Sequence, residues 1–100
     1  MTVKKALLAR LEAKPGKEAV VQEFLTSALA LANQESQTTV WFALKLGPST
    51  FGVFDAFADD TGRQAHLNGP IAKALMANAA ELLSKPPQLD PIDVLGAKLT

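Results

Sequence analysis

The chain has 100 residues with ten basic and ten acidic side chains, one His, and neither Cys nor Tyr. That length suits a single domain, residues 1–100, and zero formal charge with a pI of about 6.6 gives no electrostatic reason to expect nucleic acid or an anionic membrane as partner. The lack of Cys excludes disulfides, Cys-based zinc or iron–sulfur centres and a thiol nucleophile.

Hydrophobic residues reach 48%, but 17 of them are Ala and 15 Leu. The composition is compatible with a packed monomer or with a core shared with a second copy. Lys4 and Lys5 precede Ala6-Leu7-Leu8-Ala9, yet Arg10 and Glu12 interrupt that run, and no segment approaches the roughly 20 apolar residues that span a bilayer. The expectation is a soluble, cytoplasmic protein.

In chain order, Val3 to Ala13 carries two interleaved rows, Leu7-Ala9-Leu11-Ala13 and Ala6-Leu8-Arg10-Glu12, as a strand with unequal faces does. Lys14-Pro15-Gly16-Lys17 turns the chain. From Lys17 to about Asn33, Val20, Phe24, Ala28 and Leu31 fall on one side of a helix, widened by Leu25, Leu29 and Ala32. The polar run Asn33-Gln34-Glu35-Ser36-Gln37 ends it. Thr38 to Leu46 is rich in β-branched and aromatic residues and reads as a second strand. Gly47-Pro48-Ser49-Thr50 turns into a third, Phe51 to Phe57, which predicts an antiparallel hairpin. With Leu46 opposite Phe51, one face would hold Phe42, Leu44, Val53, Asp55 and Phe57, and the other Trp41, Ala43, Lys45, Phe54 and Ala56; a one-residue slip would swap these lists.

Asp59-Asp60-Thr61 offers N-cap chemistry for a short helical turn through Arg63 to Leu67, stopped by Gly69 and Pro70. A second full helix is expected from Ile71 to about Leu83, with Ile71, Leu75, Ala79 and Leu82 on one side, ended by Lys85-Pro86-Pro87. Pro91 would open a final strand, Ile92 to Leu99. The fold class is therefore α+β, a ferredoxin-like β-α-β-β-α-β order with a four-stranded antiparallel sheet and helices on one face. Both rows of the hairpin are largely apolar, so the uncovered face calls for a partner. The prediction is a homodimer with its two sheets face to face and an apolar pocket between the sheets or under the helices.

The serines Ser27, Ser36, Ser49 and Ser84 sit in no Gly-flanked elbow, no Gly-rich phosphate loop is present, and one His without Cys makes a poor transition-metal site, leaving heme ligation by His66 alone as an alternative.

Three stretches resemble the antibiotic biosynthesis monooxygenase family, a dimeric α/β-barrel group that includes quinol monooxygenases: Ala9-Arg10-Leu11-Glu12-Ala13-Lys14-Pro15-Gly16-Lys17-Glu18, then Phe24-Leu25, then Phe54-Asp55-Ala56-Phe57 leading to Ala65-His66-Leu67. The resemblance runs nearly the full length. Two departures stand out: Glu35 is followed by Ser36-Gln37 where the family usually reads Glu-Pro-Gly, and Asn68-Gly69-Pro70-Ile71 replaces the second His or Ser frequent after the first His. The resemblance implies a cofactor-free oxygenase of a phenolic, quinol or polycyclic aromatic substrate with molecular oxygen and no metal; the alternative is a non-catalytic dimeric module binding a small hydrophobic ligand.

On that reading His66, whose unperturbed pKa of about 6.5 suits it to take a phenolic proton or stabilise an oxyanion, is the catalytic candidate. Asp55, a carboxylate in an apolar strand, would assist it, or pair instead with Arg10, Lys45 or Lys98. Trp41 and Phe57 are candidates to shape the substrate pocket, though each fits a core or interface role as well. Asn68 could offer its amide to a substrate oxygen or terminate the helix. Arg63 reads as a solvated charge.

Overall fold

A computed structural model describes residues 2–99. It contains β1 (Lys5–Glu12), α1 (Glu18–Ala32), β2 (Thr38–Lys45), β3 (Thr50–Phe57), α2 (Asp60–Leu67), α3 (Pro70–Leu82) and β4 (Gln88–Asp93). The strands form one antiparallel sheet in the order β2-β3-β1-β4. This is the expected α+β, ferredoxin-like arrangement, with the expected helical turn grown into a helix of its own, α2.

The turn between β1 and α1 is set by Pro15 and Gly16. The Lys17 amide donates to the Lys14 carbonyl at 2.9 Å, and Gly16 has φ +86°, a conformation that suits Gly in third position after Pro in second. Helix α1 buries Val21, Leu25, Ala28 and Ala32, a stripe rotated from the expected one: Val20 and Leu29 lie on its outer side, 47% and 50% exposed. Helix α2 is capped by Asp59, whose carboxylate accepts from the Gly62 amide at 3.0 Å. Helix α3 has Pro70 in its first turn and buries Ile71 and Leu82. The end of α3 is fastened to the end of β1 by two backbone bonds of 2.9 Å, Lys14 to Leu82 and Ser84 to Glu12.

The hairpin register differs from the expected one by a single residue. Lys45 stands opposite Phe51, Ala43 opposite Val53 and Trp41 opposite Asp55, because the amides of both Leu46 and Gly47 donate to the Thr50 carbonyl and shorten the paired part of β2. The helix-covered face therefore carries Trp41 with Val53, Asp55 and Phe57, while Val40, Phe42 and Leu44 share the open face with Phe54 and Ala56. The last strand is also displaced. It begins at Gln88, not Pro91, and residues 94–99 form no strand. Pro91 lies inside it opposite Leu7, tolerated because β4 is an edge strand paired with β1 alone.

The main core lies between the helices and the covered face, where Leu11, Val21, Leu25, Phe51, Val53 and Leu82 pack together. On the open face Phe42 is 53% exposed and Leu46 45%, with Leu8, Leu44, Phe54 and Ile92 only part-buried. No helix of the described residues is long and apolar enough to cross a membrane.

Leu11 is fully buried, so Leu11→Ala should cost about 2–5 kcal/mol by urea denaturation, against about 1 kcal/mol or less for Leu29→Ala on the exposed side of α1. Equal losses at the two positions would contradict the placement of α1.

Candidate functional site

His66 lies in the last turn of α2, on the side turned toward the sheet, and is 94% shielded from solvent with Phe57 beside it at 5.6 Å between ring centroids. Both ring nitrogens are engaged. Nδ1 lies 2.7 Å from Glu35 Oε1 and Nε2 lies 2.9 Å from Asp55 Oδ2. A neutral imidazole has a single N–H to donate, so two carboxylate partners are both satisfied when the ring carries two protons and a positive charge. Three elements thereby meet on one side chain: the α1–β2 connection through Glu35, β3 through Asp55, and α2 through His66 itself.

The electrostatics follow from this geometry. Burial would lower the His66 pKa, but the hydrogen bond and charge of Asp55, joined by those of Glu35, outweigh it and hold the imidazole up to about 9. Asp55 is only 1% exposed, and that burial pushes its carboxyl above the ordinary carboxylate range, opposed by the His66 hydrogen bond and charge. Glu35 is also held by the Thr38 hydroxyl, which donates to the same oxygen, Oε1, at 2.7 Å.

Among the described residues, three buried side-chain polar atoms lack a protein partner: Asp55 Oδ1, Glu35 Oε2 and Trp41 Nε1. Asp55 and Glu35 both bond His66, and Trp41 stands directly across the sheet from Asp55. Since native interiors satisfy nearly all buried polar groups, this concentration marks the most unusual polar environment in the molecule. Beside it a cleft of about 230 Å³ opens between residues 34–38 and the α2–α3 corner, with Glu35, His66, Gly62 and Gly69 on its walls.

The structure brings His66, Asp55 and Phe57 together, and Asp55 pairs with none of Arg10, Lys45 or Lys98. Trp41 is adjacent through Asp55 but packs under α1 and the start of α3, against Ala28, Ala32 and Ile71. Asn68 stands outside the cluster. It is exposed, and its amide donates to the Gln64 carbonyl at 2.9 Å as part of the α2 C-terminus, the helix-ending role that was one of its two expected readings. Arg63 is not the expected solvated charge: its side chain is 13% exposed, and its guanidinium pairs with Asp60 and donates to the carbonyls of Ala6 and Ile92. Glu35 was not anticipated. It lies 31 residues from His66 in a polar run that reads as a helix end, and only the departure from the family pattern drew notice to that position.

While both contacts hold, neither nitrogen of His66 is free for a metal or a heme iron. No group of three or more potential metal-ligating side chains occurs among the described residues.

The fold places the chain among small ferredoxin-like α+β proteins. It belongs to the same family as NE2512, a Nitrosomonas europaea protein of unknown function, to which it is 69% identical over 99% of this chain and 96% of that one, with a TM-score of 0.97. The fold is shared at low identity with two provisionally named antibiotic biosynthesis monooxygenases. One, from Nitrosomonas europaea, has a TM-score of 0.82 and 14% identity over 92% of this chain and 99% of that one; the other, from Caulobacter crescentus, has 0.80 and 16% over 95% and 92%. No family model and no curated protein matches the sequence.

The folded protein keeps the His66 proton up to about pH 9, whereas an unfolded chain releases it at about 6.5. The stabilisation from His66 is thus fully present below about pH 6.5 and is lost as pH rises through about 9. Urea denaturation of the wild-type chain should show stability falling across that window, and His66→Asn should lack that fall. A wild-type profile flat from pH 6.5 to 9.5 would contradict the charged, doubly bonded imidazole.

Proposed function

We propose that this protein is a cofactor-independent oxygenase of a phenolic, quinol or polycyclic aromatic compound. The observation that carries the reading is the buried Asp55–His66–Glu35 array against a cleft; the fold shared with proteins named as monooxygenases supports it. Such chemistry asks the protein to favour the substrate anion and admit dioxygen, because the anion itself supplies the electrons. For an anthrone-type substrate, a CH₂ group becomes C=O: one oxygen atom enters the product, the other leaves as water with the two hydrogen atoms, and four electrons pass from substrate to dioxygen.

In this reading the cationic His66 stabilises the negative charge that develops on the substrate oxygen. Its nitrogens are already bonded, so protons enter or leave the imidazole by way of Asp55 or Glu35. Phe57 fixes the ring by packing on it, and Trp41 closes the far side of Asp55. The same occupied nitrogens favour a second reading, a non-catalytic module that binds a small hydrophobic ligand.

Oxygen uptake by the purified, metal-stripped protein with quinols, anthrones and polyphenols separates the two. Uptake above autoxidation should fall about 100-fold or more in His66→Ala. Uptake equal in both proteins would remove His66 from the chemistry, and none with any compound would favour the binding module.

The apolar open face supports a homodimer in which two sheets meet, with Phe42, Leu46 and Phe54 toward the second copy. Sedimentation at micromolar concentration should give twice the chain mass for the wild type and a lighter species for Phe42→Asp. A wild-type monomer would contradict the dimer.

A further inference from the structure

Helix α2 carries His66, yet little apolar packing holds that helix to the sheet. Its buried residues are Gly62 and His66, and among the described residues none of the buried apolar clusters includes a residue of α2. A helix of 8 residues is too short to stand on its own propensity, so specific contacts must set where it lies.

Those contacts are polar and straddle the sheet. His66 bonds Asp55 on β3 and Glu35 in the connection to β2. Arg63, three residues earlier and so on the same side of α2, reaches the other way. Its Nη1 donates to the Ala6 carbonyl on β1 at 3.2 Å and to the Ile92 carbonyl on β4 at 3.4 Å. In the order β2-β3-β1-β4 the two anchors therefore fall on opposite halves of the sheet. Between them the backbone of Gly62 rests close on the chain beneath, since a Cβ there would lie 3.1 Å from the Gln37 carbonyl oxygen and 3.2 Å from Phe57 Cβ.

The rest of the Arg63 guanidinium is engaged by Asp60 Oδ1, to which Nε donates at 3.1 Å and Nη2 at 2.8 Å. A planar fork can serve a carboxylate on one edge and two carbonyls with its remaining nitrogen, which the single ammonium of a Lys cannot do. With the His66 contacts alone, α2 would be free to pivot about Gly62 and carry the imidazole out of line with its carboxylates. Bonds of 2.7 and 2.9 Å tolerate little displacement.

We propose that Arg63 is a positioning residue, which clamps α2 to β1 and β4 and thereby sets His66 between Asp55 and Glu35. It does so from outside the cleft, whose wall it does not join, and the assignment stands whether or not the protein is an oxygenase.

The test compares the wild type with Arg63→Met, which keeps an unbranched stem without donors, and with Arg63→Lys. Imidazole ¹H–¹⁵N spectra, the His66 titration and amide exchange are read on each full chain. In Arg63→Met the ring N–H protons should exchange about tenfold faster or more. The His66 midpoint should fall from about 9 toward its ordinary value of about 6.5, and α2 amides should lose protection while those of α1 and β3 keep theirs. Arg63→Lys should lie between the two. A folded Arg63→Met with the wild-type ring protons and midpoint would overturn the proposal, and so would an equal loss of protection in every strand, which marks general weakening. If Arg63→Met does not fold, Arg63→Lys decides: a lowered His66 midpoint upholds the clamp, and an unchanged one overturns it.

Discussion

One imidazole ties three elements of this molecule together. His66 is gripped at both nitrogens by carboxylates from different elements, and each contact makes sense only with the other. Asp55 alone in an apolar strand would be a buried carboxylate facing a desolvation cost of several kcal/mol, and a neutral imidazole would leave one of its two acceptors without a proton. The shared charge offsets both costs. It also ties the loop after α1 and helix α2, which border the cleft, to β3.

The second constraint is the inequality of the two sheet faces. Helices cover the side bearing Leu11, Phe51 and Val53, and the remaining side keeps Phe42, Leu44 and Phe54 in partial contact with water. These faces divide the work of the fold. The main core lies on the covered face with the polar site embedded in it, and among the described residues the other face carries only the smaller buried cluster of Val3, Ala6 and Ala56. The polar site sits on elements whose positions are fixed by packing on both flanks, Phe57 under the imidazole and the Asp59 cap at the start of α2, which is how a two-contact geometry within 3 Å is kept in register.

Much of this was legible in the sequence. Element order, the Pro15-Gly16 turn and the Asp59 cap follow from local chemistry, turn residues and capping residues, whereas for Asp55 the sequence left His66 and three basic residues as rival partners and only the fold chose His66. The hairpin register was not, because Val40-Phe42-Leu44 and Trp41-Ala43 are both apolar rows, so alternation could not choose the inward one, and the choice fell to how Leu46 and Gly47 bond Thr50. The rotation of α1 escaped for the same reason: Val20 and Val21 are chemically alike and adjacent. Pro91 looked like the start of a strand when it is the middle of an edge strand. Glu35 escaped entirely, since a Glu in a polar connection is ordinarily solvated, and only the three-dimensional return of the chain beside α2 makes it a ligand of His66.

The charged state of His66 is the point on which these conclusions turn, and a long-range ¹H–¹⁵N correlation spectrum of the imidazole at pH 7.5 reads it directly. Two slowly exchanging N–H protons, both lost in an unfolded control and one of them lost in Glu35→Leu, which leaves Nδ1–H without an acceptor, are expected. A single neutral tautomer at that pH, with one unprotonated nitrogen, would contradict the doubly bonded imidazolium and the roles assigned to Asp55 and Glu35 around it.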